Sequence, residues 1–519
     1  MQELNTIGTT FREHLLAAEH AKHARERASD ASEKIHVVGA GATLTAAYEQ
    51  LRNAAENAEE HVLLQRAVVR FLRRLFLSRD RDRVRRTGEE LAVELTQAGY
   101  IANDSVADVA VDQIDQLAER YYDAFLHLAS AHSAGAETWT LHVLAAEIEN
   151  ILQPDEVSRV FVQVVHQYFA AKIADGTVFK NGAIPKDSDT ALYVAIHRSL
   201  LKSDPALIRL GLLKRFALSP GDQHYIALNE EIDKLMVSST TDMLQHYVDR
   251  RGAVWRVLDR MMVERDDLTE LMEHRDAFLD AFEGQVTGEY ERIEKKVDRG
   301  VMRSLIFLII TKVLIGVAIE VPYDKVVSGG IMWTPLLINL LFPPIYMVML
   351  RTTMRMPGRA NTIHLTNEIE RVLYEDSGAK QLHRRRAQNF GSAYELAYGA
   401  AFILVFGGVA LLLWLAFGFS WLHLIIFFVF LSAASFLGFR LSRMIRELEA
   451  IESNQNGLTA LRDFLYMPFV VVGRWISDSY SKVNIITMIL DMMIELPLKT
   501  VLRLVRQWSA FISGKQDEL

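Results

Sequence analysis

The sequence predicts an all-α protein: a helical, polar N-terminal domain, then four transmembrane helices in two hairpins, then C-terminal amphipathic helices. Three observations predict it. Four long apolar segments, at 305–321, 330–350, 398–419 and 421–439, all lie behind about 300 residues that contain none. Each approaches the roughly 17–25 residues that a helix needs to cross a bilayer core, and a buried soluble helix rarely stays apolar on every face for that length. Before them, apolar residues recur at helical spacing, as at Ala47, Leu51, Ala54 and Ala58. Charge divides the same way. Residues 1–300 hold 36 Lys and Arg against 49 Asp and Glu, whereas 301–519 hold 21 against 16.

Those balances exclude some functions. An acidic soluble domain is a poor match for nucleic acid, which needs clustered positive charge. The chain has no cysteine, so disulfides, thiolate-held metals, Fe–S clusters and thiol nucleophiles are absent. Residues 1–27 are polar and lack the apolar core of a cleavable signal segment.

The N-terminal part reads as a helical cytoplasmic subdomain over 1–175 and a second helical segment over 190–300. Thr87-Gly88-Glu89-Glu90 has the form of a capping box, with Thr87 as cap and Glu90 reaching back. Ser203-Asp204-Pro205 is a helix start with proline at the first position. Ser219-Pro220-Gly221 is a break, and Asn181-Gly182 suits a short hairpin turn inside the irregular stretch 175–190. The helical pattern from 228 to 298 is expected to run almost directly into the first span.

The spans follow as a hairpin at 305–350, a linker at 351–397 and a second hairpin at 398–439. Lys and Arg cluster beside one set of ends. Arg292, Lys295, Lys296, Arg299 and Arg303 precede the first span; Arg351, Arg355 and Arg359 follow the second. Lys380, Arg384, Arg385 and Arg386 precede the third; Arg440, Arg443 and Arg446 follow the fourth. The opposite ends carry only Lys325. The positive-inside rule then places both termini in the cytoplasm.

Candidate chemistry is sparse. Val37-Val38-Gly39-Ala40-Gly41 lacks the third glycine and the flanking strands of a dinucleotide loop. His14, His20 and His23 share one helical stretch without a ligand set, so a solvated face is the plainer reading. Arg66, Arg70, Arg73, Arg74, Arg79, Arg81, Arg83, Arg85 and Arg86 form a basic run, with Arg70, Arg73, Arg74, Arg85 and Arg86 as its candidate contact residues for anionic headgroups or an acidic partner. The plainer reading pairs these arginines with acids of their own domain. No metal site, cofactor or catalytic residue is implied, and no span shows a paired-Asp or Ser/His arrangement.

Lys312 is the sharpest residue. It stands mid-span, where a lysine costs roughly 2.5–3.5 kcal/mol on insertion scales and needs a partner or a wet cavity. It either lines an ion, proton or substrate path or makes a structural bond. Asn339 is the other polar candidate near mid-depth, and Glu320 is read as too near the outer end to reach Lys312. Pro335, Pro343 and Pro344 are expected to interrupt the second span, freeing carbonyls or kinking the helix. Gly407-Gly408, and Ser432 to Ser435, suit close helix approach.

Past the spans, 464–476 is apolar, contains Pro468 and Gly473, and is expected to be interfacial or re-entrant. Residues 485–512 form an amphipathic pattern. Ile485, Ile489, Leu502, Val505 and Trp508 lie on its apolar faces, and a polar stripe runs through Asp491, Glu495, Lys499, Arg503 and Arg506. RDFLYMPFVVVGRWISD at 462–478, with ELPLKTVLRLVRQW at 495–508, resembles a group of uncharacterised integral membrane proteins of candidate-phyla bacteria, the Saccharibacteria type. The resemblance is clearest over 300–519. It implies a bacterial inner membrane and carries over no catalytic residue.

The function expected from sequence is a non-enzymatic, membrane-anchored assembly or scaffold protein. The alternative is an oligomeric channel or transporter subunit using Lys312 and the proline-bearing second span. The expected partners are the lipid bilayer, its anionic headgroups, and a second copy or another membrane protein.

Overall fold

The computed structural model describes residues 3–37, 60–130, 135–174, 178–179, 183–375, 392–450 and 457–482. The protein is all-α. It divides into two compact units, one built on Thr9–Val248 and one on Met1–Gly8 with Asp249–Val483.

The first unit begins in α1 (Thr6–Asp30) and continues through α2 (Glu60–Leu77), α3 (Arg81–Val84), α4 (Thr87–Ala98), α5 (Asp108–Ser130), α6 (Ala136–Leu152) and α7 (Glu156–Ile173). Then come α8 (Ser188–Ile196), which widens into a π turn at His197–Leu201, α9 (Pro205–Arg215), α10 (Tyr225–Met236) and α11 (Ser239–Arg251). Its core gathers the apolar stripes of α2, α4, α5, α6 and α9, with Phe76 set edge-on to Tyr122 and Phe125. Asp204 caps α9 by accepting the Ala206 N–H at 2.8 Å, with Pro205 at the first helical position, as the sequence indicates. The capping box at Thr87 does not form. The Thr87 hydroxyl donates to the Val84 carbonyl, Glu90 pairs with Arg83, and the Gly88 N–H is taken by Asp115 from α5. Partners brought by tertiary packing displace the local ones.

The second unit holds α12 (Ala253–Glu264), α13 (Leu268–Leu271), α14 (Arg275–Ile315) with a π turn at Gly316–Glu320, α15 (Val321–Val327), α16 (Trp333–Thr353), α17 (Arg359–Leu373), α18 (Ser392–Phe417), α19 (Trp421–Arg446) and α20 (Gly457–Lys482). Among the described residues, three helices are long and apolar enough to cross a membrane: Arg275–Val327, Trp333–Thr353 and Trp421–Arg446. A shorter apolar run, Phe402–Phe417, lies in α18. As expected, the 41-residue α14 joins a polar half to the first apolar segment without a break. Its polar half packs on α12 and α17, and its apolar half on α16 and α19. Arg351, at the end of α16, ties back to Asp298 at 2.6 Å.

Two expectations are corrected here. Pro343 and Pro344 sit inside a continuous α16, so the second span is not interrupted. The cost is local: the ring at 343 removes the amide that would bond the Asn339 carbonyl. Likewise, Pro468 and Gly473 lie within one helix, α20, which packs on α19. The C-terminal stripe residues from Ile485 to Trp508, the linker cluster Lys380 to Arg386, the Gly39 loop and Asn181-Gly182 lie outside the described residues.

Close approach of α19 and α20 depends on Gly473. A Cβ there would overlap the Ser432 carbonyl oxygen and stand 2.7 Å from the Phe436 Cβ, whereas Gly408 has open space around it. Gly473→Ala is therefore expected to destabilise the protein by about 1–3 kcal/mol, the usual scale of overpacking. Gly408→Ala should be neutral or slightly stabilising. Thermal unfolding in detergent checks both; equal effects would remove the packing role of Gly473.

Candidate functional site

The apolar helices of the second unit enclose a polar cluster. Lys312 from α14, Glu320 from the π turn, Asp324 from α15, Asn339 from α16 and His423 from α19 are all buried. The Lys312 ammonium contacts the Glu320 carboxylate and lies 5.0 Å from the centre of the Phe430 ring. Phe430 stands midway along the apolar run of α19, so Lys312 is at mid-depth.

The π turn brings the ion pair together. Residues 312 and 320 would be about 12 Å apart along an α-helix and about 80° apart around it. The wider turn at Gly316–Glu320 takes up that rotation, and the long lysine stem covers much of the rise. The expectation that Glu320 lies out of reach is thus overturned, because it assumed a regular helix.

The network continues toward the turn at Gly418–Ser420. Asn339 Nδ2 donates to Glu320 Oε1 at 3.3 Å and to the His423 carbonyl at 3.2 Å. Asp324 Oδ2 accepts the Met332 N–H at 3.0 Å. His423 Nε2 stands 3.5 Å from Asp324 Oδ1, and its Nδ1 is 2.8 Å from the Ser420 hydroxyl. From His423 to the level of Phe430 the cluster covers about 10 Å along α19.

Chemically, the cluster holds two carboxylates, one lysine and one histidine. Lysine balances one carboxylate. The other, Asp324, faces the His423 ring. Among the described residues, Glu320 Oε2 and Asn339 Oδ1 are buried without a hydrogen-bond partner, and His423 Nε2 and Asp324 Oδ1 have only each other, at 3.5 Å. Such atoms in an apolar setting each cost about 1–3 kcal/mol. A Ser420–His423–Asp324 alignment exists beside the turn at Gly418–Ser420, with Ser420 and Asp324 outside the apolar segments read from sequence. The hydroxyl and the ring are three residues apart at the start of α19.

Of the residues singled out from sequence, Lys312, Asn339 and the adjacent Pro343 come together, while Pro344 stands outside the cluster. Sequence reasoning sets Glu320 aside and misses Asp324, Ser420 and His423. His423 is the only titratable residue in the run 421–439, and Glu320 and Asp324 are one helical turn apart; those were the available signals. Within the basic run of the first unit, Arg74 pairs with Glu94 at 2.5 Å, Arg81 with Asp123 at 3.0 Å, Arg83 with Glu90 at 2.6 Å and Arg85 with Glu119 at 3.2 Å. Arg73 and Arg86 are exposed. Among the described residues, no three His, Asp or Glu side chains converge as a metal site.

The first unit has a site of its own. A cleft of about 1110 Å³ opens between α6, α7, α8 and α9, lined among others by Glu149, Arg159, His166, Tyr193, His197 and Lys214. The π turn at His197 sets the ring against Ser203, with Nδ1 2.9 Å from its hydroxyl, and its buried Nε2 has no hydrogen-bond partner among the described residues. Burial, aided by the charge of Asp204, lifts the Glu149 carboxyl from its ordinary 4.5 to about 7. Burial alone lowers the His197 imidazole from 6.5 to about 4.

Compared with known protein families, curated proteins and solved structures, the chain has no match.

The two cleft groups act on stability with opposite signs. Glu149 holds its proton in the fold, so its contribution is complete below pH 4.5 and is lost as pH rises toward about 7. His197 stays neutral in the fold, so its contribution is complete above pH 6.5 and is lost as pH falls toward about 4. Between pH 4.5 and 6.5 the slopes oppose each other. Relative to wild type, Glu149→Gln should gain stability with rising pH in that window, and His197→Gln should lose it. Denaturant midpoints measured across pH check this; parallel profiles for all three proteins would contradict it.

Proposed function

We propose that this chain is a multi-pass membrane subunit that relays protons between one membrane face and mid-bilayer, through Ser420, His423, Asp324, Glu320 and Lys312, with Asn339 holding the Glu320 carboxylate. One observation carries the reading: the cluster is larger than a structural lock requires. A single Lys–Glu pair would neutralise Lys312. The additional Asp324–His423 pair, buried at 3.5 Å, is surplus to that task. Intramembrane ionisable groups are expensive and mark ion or proton paths by default. A proton fits better than a metal cation, because the ammonium of Lys312 repels a cation at the same carboxylates.

On the Lys/Arg bias, the soluble unit and both termini are placed in the cytoplasm of a bacterial cell, with the spans in its inner membrane. The relay then opens toward the outer face. Its continuation past Lys312 is assigned to a homo-oligomer in the bilayer, since so few helices per chain rarely enclose a whole path. The second reading is the membrane-anchored scaffold, in which no bond chemistry and no flux occur. The tight Lys312–Glu320 contact favours it, because such a contact also serves as a lock between spans.

Proteoliposomes with an internal pH dye separate the two. Wild type should dissipate an imposed pH gradient faster than empty liposomes. Asp324→Asn and His423→Gln should each slow this at least about tenfold, equivalent to roughly 1.4 kcal/mol of barrier. Wild type no faster than empty liposomes removes the relay and leaves the scaffold. Equal rates in wild type and both variants remove the cluster from the path.

A further inference from the structure

The charges around the cleft of the first unit are unevenly matched. Arg159, Lys214 and Arg215 line it, and each has a carboxylate beside it. Lys214 has Glu147 at 3.4 Å, Arg215 has Asp189 at 2.6 Å and Arg159 has Glu156 at 4.0 Å. His166 also stands 3.2 Å from Asp189. Asp155 is engaged in capping α7, where it accepts the Ser158 N–H at 2.9 Å. Glu149 differs from all of these. Among the described residues its carboxyl has no hydrogen-bond partner and no cation beside it. The charge it feels is that of Asp204, the cap of α9.

A second group on the same wall lacks a partner. His197 lines the cleft, is 7% exposed, and has no hydrogen-bond partner for Nε2 among the described residues. In the tautomer whose Nδ1–H donates to the Ser203 hydroxyl, that free nitrogen is an acceptor. A carboxyl and a ring nitrogen are thus both short of a donor, and buried polar groups left so are costly. Beside them the Tyr193 ring lies with its centre 4.5 Å from that of His197, and Val162, Leu207 and Leu210 supply apolar surface.

We infer that this cleft binds a small organic amine, its ammonium on the Glu149 carboxylate and the His197 imidazole and its apolar body along Val162, Leu207 and Leu210. A primary ammonium carries three N–H donors, enough for both acceptors. An organic anion fits worse: the cations of the cleft already have carboxylates, and Glu149 and Asp204 would repel it. A bare metal ion fits worse too, since no three His, Asp or Glu side chains converge among the described residues. Binding requires the ionised carboxylate, so the proton that Glu149 holds is released as the amine arrives. Affinity therefore falls about tenfold per pH unit below about 7 and levels off above it. The polar cluster of the second unit takes no part, so the site stands or falls independently of proton flux.

Equilibrium dialysis with phenethylamine tests it, using the full chain in lipid nanodiscs and empty nanodiscs as the reference. At about pH 8, phenethylamine should bind at least about tenfold tighter than phenethyl alcohol, which has the body without the charge, and than methylammonium, which has the charge without the body. Glu149→Gln should weaken it at least about tenfold and remove its pH dependence, and His197→Phe should weaken it roughly fivefold. No phenethylamine bound beyond empty nanodiscs would overturn the site, as would equal or tighter binding of phenethyl alcohol or of phenylacetate. A wild-type affinity that stays flat between about pH 5 and pH 8 would contradict the pairing with Glu149. If His197→Phe binds as wild type does, the imidazole is no part of the site. Should Glu149→Gln not fold, the wild-type pH profile and the neutral analogue still decide.

Discussion

A lysine ammonium in the middle of an apolar bundle must have a counter-charge, and the Lys312–Glu320 contact is how this fold provides it. Several features follow from that one requirement. The helix carrying both residues departs from α geometry at Gly316–Glu320, which rotates Glu320 onto the face of Lys312. Asn339 is drawn from the second span to share the same carboxylate oxygen, and it also bonds the His423 carbonyl of the fourth. Three helices are thereby held at one level by polar contacts. Around them the helices approach closely: Gly300 faces Leu441, and Gly438 faces Leu350, with no room for a larger residue unless those leucines shift.

Magnitudes explain why such a cluster specifies more than it stabilises. Burying an ion pair is near break-even against apolar residues of the same size, whereas removing one partner is costly. Most of the unit's stability therefore comes from its apolar contacts, as in the cluster joining Val297, Leu308, Met347, Phe430 and Ala434. The polar groups fix register and depth. Asp324 and His423 extend them toward the Ser420 turn, and that extension turns a lock into a candidate relay. In the first unit the same physics works at the other extreme. Its arginines pair with nearby acids at the surface, where each pair contributes little, and burial shows itself instead in Glu149 and His197.

The sequence reveals the large-scale organisation because it depends on composition over many residues. The apolar runs, the unbroken entry of α14 and the proline-led start of α9 are all local patterns, and the structure has them. Lys312 stands out because no other charge sits so deep in a span. Its partners do not, because they become neighbours only through a π turn that no periodicity encodes and through helices joined late in the chain. The Thr87 capping box fails for a related reason: Asp115, far away in sequence, takes an amide that a local rule would count as free. Proline misleads in the opposite direction. Pro343 and Pro468 signal breaks, yet packing on neighbouring helices keeps α16 and α20 continuous.

A double-mutant cycle on Lys312 and Glu320 tests the central constraint most directly. Reversible unfolding in bicelles would be measured for Lys312→Met, Glu320→Leu and the double variant. With the pair as described, each single variant leaves one buried charge alone and loses about 3–5 kcal/mol, while the double variant recovers most of that loss. Single losses below about 1 kcal/mol that simply add in the double variant would contradict it, since independent residues carry no coupling.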